Sequence, residues 1–438
     1  MKKSIAIIGG GYTGLTAAYQ LIKKGYNVTI FEKESHVGGL AVGCSVDGLD
    51  VEKVWHFIYM TDSEIIRLAE ELGVEDSLVF HQSSIATYYD GKMYSFMTPK
   101  DLLTFSPLPF WDRIRTGVTG LYLQLLKNWQ PLTKITAYEW MKKYAGKKAT
   151  KIIWEPLLRG KFDSHYDKVL MSWLWKRIKV RADSKEKTGE MLGYFTGGFG
   201  LITEGLVKKI KKDGGVISCN TTTSSITENG NGTVTIVTDK GEQNFDSVIA
   251  TVPTSVFGKM IAQNKNVTPK YVEKLNSIDY VGAIIMVFTS KQKISEYYWH
   301  NINDEKIPFL VFLANSVLTG KKVYGGKNLY YIGFYAEHNH PYFSMDNKDI
   351  IQKWEDGLKK VFPDFDASQI TDKKLYKFKN AQHIVDAGYS DRIPAYESIV
   401  KNVYLANFSQ IYPDDRGLNY AILEGKKVAK MVENNFKK

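Results

Sequence analysis

The chain has 438 residues, 44% of them hydrophobic, a length beyond one average domain and enough for a large core. Fifty-eight Lys and Arg against 47 Asp and Glu leave a net charge of +11, but no zinc finger, RNA-binding aromatic signature or arginine-rich stripe goes with it, which argues against nucleic acid as a partner. Two cysteines, Cys44 and Cys219, cannot make a disulfide framework, and nowhere do ~18 apolar residues run uninterrupted, so a reducing, cytoplasmic setting without a membrane span is expected.

The opening "MKKSIAIIGG" imitates a secretory signal, but glycines end its apolar run too soon, and it reads as a strand over residues 4 to 8. Gly9, Gly11 and Gly14 then fit GxGxxG, with Tyr12 and Thr13 inside the pattern. Leu15, Ala18 and Ile22 fall on one helical face, Gly25 is placed to cap that helix, and a second strand, "YNVTIFE", ends in Glu32 beside Lys33. Gly9 suits the tight turn, Gly11 leaves room for a pyrophosphate, and Gly14 lets helix and strand pack closely. The helix amino terminus faces the phosphates, and Glu32 accepts ribose hydroxyls while disfavouring a 2′-phosphate. The unit predicts a dinucleotide site, for NAD or FAD.

Gly38 and Gly39 follow five residues after Glu32. Glu-x5-Gly-Gly directly after the second strand resembles the FAD-dependent oxidoreductases that include amine oxidases, protoporphyrinogen oxidase and phytoene desaturases. Leu40 stands where that group usually has an arginine. The resemblance continues in "TGGFGLITEGLVKKI" from Thr196, in "DGGVISCNTTTSSI", in "FDSVIATVP" and in "NVYLANFSQIYPDDRGLNYAILEGKKVAKMV". It implies non-covalent FAD and an α/β fold: a Rossmann-like FAD-binding domain with a parallel sheet and β-meander (1–85, 196–275 and 381–438), and an interleaved α+β substrate domain (86–195 and 276–380). It places Gly417, Leu418 and Asn419, at the start of the last helix, beside the flavin ring, and Asn407 where an acid often meets the ribityl hydroxyls.

In the first insertion, Pro107 and Pro109 break any early helix, after which Ile114, Val118, Leu121, Tyr122 and Leu125 line one helical face near Arg113 and Arg115. The expected role of that face is packing on its own domain; the alternative is a peripheral contact of 102–129 with a membrane surface. The second insertion reads as strands in "YVGAIIMVFTS", "IPFLVFLANS" and "NLYYIGFYAEH". His56, in "VEKVWHFIYM", is the candidate catalytic residue, with a hydrogen-bonded core histidine as the competing reading. Arg159 and Lys161 read as surface charges before anion contacts, and His338 with His340 lack the partners of a metal site, so no metal is expected.

Amine oxidases of this type usually carry a lysine in the strand under flavin N5; Ala283 falls there, which points away from amine oxidation. The sequence leads to an FAD-dependent oxidoreductase taking hydride from a small-molecule substrate to flavin N5, protoporphyrinogen oxidase-like, with the electron acceptor left open. The alternatives are a UDP-galactopyranose mutase-like isomerase acting on a nucleotide sugar, and a flavoprotein scaffold without turnover.

Overall fold

The computed structural model describes residues 2–186 and 189–437; Met1, Lys187, Thr188 and Lys438, which fall inside the expected domain ranges, lie outside the described residues. Five parallel strands form one sheet in the order Val216–Ser218, Asn27–Phe31, Ser4–Ile8, Ser247–Ala250, Val403–Leu405. Its central strands are buried on both faces, as their short apolar runs, without polar alternation, require. Thr223–Glu228, Val234–Thr238 and Gly241–Phe245 make a separate three-stranded antiparallel meander.

The helices that matter to the site are α1 (Tyr12–Lys23), α2 (Ser63–Leu72), α3 (Phe110–Leu125), α4 (Glu155–Phe162), α5 (Met171–Asp183), α6 (Gly200–Lys212) and α7 (Leu418–Phe436). α1 is covered by more than the sheet expected from its one apolar face: α6 and α7 also pack on it, so nearly all of it is buried. The contact between the two chain ends needs a glycine, because a Cβ at Gly425 of α7 would lie 2.5 Å from the Thr13 carbonyl oxygen.

A seven-stranded sheet forms the second core, ordered Ile370–His383, Tyr280–Ser290, Asn328–Ala336, Val311–Ala314, Trp299–Ile302, Ile85–Tyr89, Lys92–Ser95. The pairs are antiparallel except for Trp299–Ile302 with Ile85–Tyr89. The first insertion therefore opens with a hairpin that completes this sheet before its helices begin. The run "IPFLVFLANS" is a strand only at Val311–Ala314, and Asn315–Thr319 turns into a short helix. His338 and His340 lie beyond the end of strand Asn328–Ala336, where His338 Nε2 bonds the Lys379 carbonyl and His340 accepts the Tyr342 N–H.

α3 overturns the packing expected of it. Trp111, Val118, Leu121, Tyr122 and Leu125 are exposed, Trp111 by 77% and Leu125 by 69%, while Thr116, Thr119 and Leu123 face inward. Backbone carbonyls on neighbouring segments explain the inversion. Arg115 and the Thr119 hydroxyl donate to the Tyr144 carbonyl, Arg113 donates to those of Leu103 and Leu108, and the Trp175 indole N–H donates to Leu123 O. The polar side of the helix holds it to the protein and the apolar side is left outward. No helix among the described residues is long and apolar enough to cross a membrane.

Candidate active site

The turn after strand Ser4–Ile8 sits at the carboxyl edge of the parallel sheet, where the order of strands reverses and open α/β sheets bind their ligands. Its backbone is bare: a Cβ on Gly11 would meet only Gly39 Cα, at 3.8 Å, and one on Gly39 would meet Gly11 Cα at 3.1 Å. The Gly38 N–H ties the two turns together by donating to Gly10 O at 2.8 Å. No side chain caps α1, so its first N–H groups and the positive end of its dipole are available to phosphate.

Glu32 is buried just past strand Asn27–Phe31. Its Oε2 accepts the Gly10 N–H at 2.7 Å and its Oε1 the Glu34 N–H at 2.9 Å, leaving each oxygen a lone pair for a ribose hydroxyl. Thr221 donates its N–H to Glu32 O and, with Thr222 and Thr223, borders the same space. Lys33 stands at the rim, exposed and ion-paired with Glu34.

From here one cavity of about 1230 Å³ is lined by Thr13, Gly38, Gly39 and Leu40, by Gly417 to Asn419, and by the aromatic walls Trp55, Tyr335, Tyr376, Phe378 and Phe408. The volume exceeds the ~300–1,000 Å³ usual for a drug-sized ligand. The bare glycine cradle, the acid at its adenosine end and this volume fit FAD with space left for a substrate. At the ring end α7 starts without a side-chain cap, so the N–H groups after Gly417 are free for the flavin.

Three predicted cofactor residues use their side chains elsewhere. Asn407 Oδ1 accepts both the N–H and the hydroxyl of Ser409, and its Nδ2 donates to Val252 O, so the bond expected to the ribityl chain is spent inside the protein. Asn419 Oδ1 accepts the N–H groups of Glu64 and Ile65, capping α2, whose own N-cap residue Asp62 makes no capping bond. The Tyr12 hydroxyl donates to Phe199 O, and burial raises its pKa above the usual phenol value. Asn419 and Tyr12 nonetheless line the cavity, each at the start of a helix.

His56 lines the cavity on a segment fixed by Glu52, whose Oε1 accepts the Phe199 N–H and whose backbone carbonyl accepts the Tyr331 hydroxyl. His56 Nδ1 donates to Val54 O at 2.6 Å, which leaves Nε2 as the free nitrogen. Burial above all, opposed by that bond and aided by Arg416, pulls its pKa down to about 4, so the ring is neutral at physiological pH. Ala283 is buried in the seven-stranded sheet, in register with the cavity-lining Tyr335 and Phe378.

A lysine does reach this wall, from α4. Lys161 lies in the cavity with Nζ 5.1 Å above the Tyr335 ring and 3.6 Å from Asp415, which corrects its reading as a surface charge. Arg159 pairs with Glu155 and stacks on Tyr166. Arg177 and Arg416 also line the cavity and went unnoticed in the sequence; Arg416 stood in plain view one residue before Gly417, while nothing local marks Arg177 on α5.

Residues 12–432 match the family described as flavin containing amine oxidoreductase. The chain belongs to that family. Its cofactor is FAD, and its relatives are FAD-dependent oxidoreductases. It is 24% identical over 350 residues to mitochondrial protoporphyrinogen oxidase of Nicotiana tabacum, a match covering 67% of this chain and 66% of that protein, just under two thirds of its length. The fold is shared with a proposed protoporphyrinogen oxidase from Exiguobacterium sp. 255-15, at a TM-score of 0.80 and 17% identity over 99% of each chain. It is shared also with reduced UDP-galactopyranose mutase, at 0.79 and 14%, covering 100% of this chain and 95% of the other.

Proposed function

We propose that this family member is a protoporphyrinogen oxidase-like enzyme of the dehydrogenase, oxidase or desaturase type, removing a hydride equivalent from an organic substrate. The observation that carries this reading is continuity: the dinucleotide cradle and the aromatic chamber are one cavity. FAD supplies a two-electron acceptor there when bound. The protein's part is to bind, orient and exclude water, which Trp55, Tyr376, Phe378 and Phe408 do as chamber walls. A substrate losing two electrons loses two protons, one within the hydride; neutral His56, with Nε2 free, fits the acceptor of the other. The uncapped start of α7 stabilises negative charge developing at the ring end.

The test is anaerobic mixing of the yellow holoprotein with a porphyrinogen, a polyene, an amine and UDP-galactopyranose. Bleaching by the porphyrinogen supports the proposal. Turnover of the nucleotide sugar by reduced protein, with no electron acceptor, overturns it in favour of isomerisation.

α3 supports a second proposal, contact with an anionic lipid surface. Its outward apolar face is flanked by exposed Lys100, Lys127, Lys143, Lys147 and Lys148, and Gln124 of the same helix lines the cavity, so the face adjoins a route to the chamber. Wild-type protein is expected to sediment with phosphatidylglycerol vesicles, and Trp111→Ser with Leu125→Ser to stay in solution at unchanged FAD content. Equal sedimentation of both proteins refutes the contact.

A further inference from the structure

The cavity wall at the start of α7 carries more positive charge than the protein neutralises. Asp415 Oδ2 is 3.0 Å from Arg177 and 3.6 Å from Lys161, and its Oδ1 accepts the Trp173 indole N–H at 3.1 Å. Arg416 bonds to neutral partners here: Nε donates to the Gln382 amide oxygen and Nη2 to the Tyr335 hydroxyl, each at 3.0 Å. The other acid of this turn, Asp414, is taken by Lys176 at 2.8 Å and by the Tyr420 hydroxyl. One carboxylate therefore serves both Lys161 and Arg177, and Arg416 has no carboxylate partner among the described residues. Lys161 and Arg177 are only 19% and 24% exposed at their side chains, so water screens this surplus poorly.

Uncompensated charge is costly to bury unless something of opposite sign completes it. Building on the oxidoreductase reading above, we infer that Lys161 and Arg416 form an anion-binding subsite of the substrate chamber, and that the substrate carries a carboxylate or phosphate group held there. The planar guanidinium supplies directional donors and the ammonium a mobile point charge, the combination that recognises such oxyanions. The neighbouring phenol carries the imprint of the same field. Burial alone would raise the Tyr335 pKa, yet Lys161 and Arg416 bring it below the usual phenol value. Lys161 and Arg416 are held against Tyr335 and Gln382 of the seven-stranded sheet, whereas the glycine cradle follows a strand of the parallel sheet, so the cluster is distinct from the turn that would hold the pyrophosphate of FAD.

The test is a binding titration with benzoate, inorganic phosphate, neutral benzamide and cationic benzylamine, read by tryptophan fluorescence, since Trp173 touches the cluster, and separately by the flavin spectrum. Wild type is expected to bind benzoate or phosphate at least tenfold more tightly than benzamide, and benzylamine most weakly. The tighter of the two anions identifies carboxylate or phosphate. Lys161→Met should weaken that anion at least tenfold, and Lys161→Arg should restore most of the loss, at equal FAD content and equal urea midpoint. Benzylamine binding as well as the anions, or anion affinity within twofold of wild type in Lys161→Met, overturns the subsite. The tryptophan signal does not depend on flavin reduction, so a protein that binds the anion but bleaches with no substrate fails the oxidoreductase reading alone.

Discussion

Two glycines of the first turn should fail in opposite ways when each is changed to alanine. At Gly11 the backbone is extended, φ −74° and ψ 177°, which alanine adopts freely, and its Cβ would rest 3.8 Å from Gly39 Cα, an ordinary contact. The apoprotein should therefore be as stable as wild type, or firmer by roughly 0.4–1 kcal/mol through the unfolded chain. The new methyl projects into the cradle, however, and losing a single charge-assisted bond of about 1.5–3 kcal/mol raises the Kd for FAD about 10- to 100-fold. At Gly14 the Cβ would stand 2.0 Å from Gly9 O and 3.2 Å from Ile7 Cγ2. Helix propensity favours alanine there by about 1 kcal/mol, but relieving a backbone clash of that size costs about 3 kcal/mol or more, so the clash wins and the apoprotein is destabilised. Urea denaturation of the apoproteins and fluorescence titration with FAD separate the two effects. A Gly11→Ala protein that binds FAD within threefold of wild type, or a Gly14→Ala protein that unfolds at the wild-type midpoint, refutes the reasoning.

Asp415→Asn removes the carboxylate shared by Lys161 and Arg177, and should lower stability by about 2–4 kcal/mol in urea denaturation; an unchanged midpoint would mean the cations do not need it. His383 offers a cleaner titration. It is fully buried, its ring lies 5.5 Å from Tyr389 and 5.6 Å from Phe408, neither nitrogen has a hydrogen-bond partner, and burial above all holds its pKa down to about 3. The unfolded chain takes up a proton near pH 6.5 that the native ring refuses, so stability falls as pH drops. From pH 8 to pH 5 this residue accounts for about 2 kcal/mol of that loss. His383→Phe should flatten the acid limb by that amount; profiles that remain parallel would rule out His383 as the source.

What the sequence disclosed was decided locally. Strand Ser4–Ile8, the turn through Gly14, Glu32 and the start of α7 at Leu418 each rest on neighbouring residues and stand in the structure where the pattern put them. What it concealed depends on distant partners. Asn407 has the chemistry to hold a hydroxyl, but Ser409 and Val252 reach it first, and Asn419 caps a helix more than three hundred residues away in sequence. The periodicity of α3 revealed an apolar face without revealing what covers it. Only the backbone carbonyls of residues 103, 108, 143 and 144, brought close by folding, turn the polar side inward.

The cation cluster shows why family membership leaves the substrate open. Lys161, Arg177 and Arg416 come from three separate elements, and none departs from ordinary surface composition until the fold sets them in one cavity wall, two of them on Asp415. The same fold accompanies amine oxidation and sugar isomerisation in other proteins, so the charge on this wall has to discriminate. A unit charge about 5 Å from a unit cation, at an effective dielectric near 20, feels about 3 kcal/mol. An ammonium substrate approaching Lys161 or Arg416 meets that as repulsion, roughly a hundredfold in binding, whereas an oxyanion meets it as attraction. On the reading proposed above, Lys161, Arg177 and Arg416, drawn from three separate elements onto one cavity wall, turn the chamber from amines.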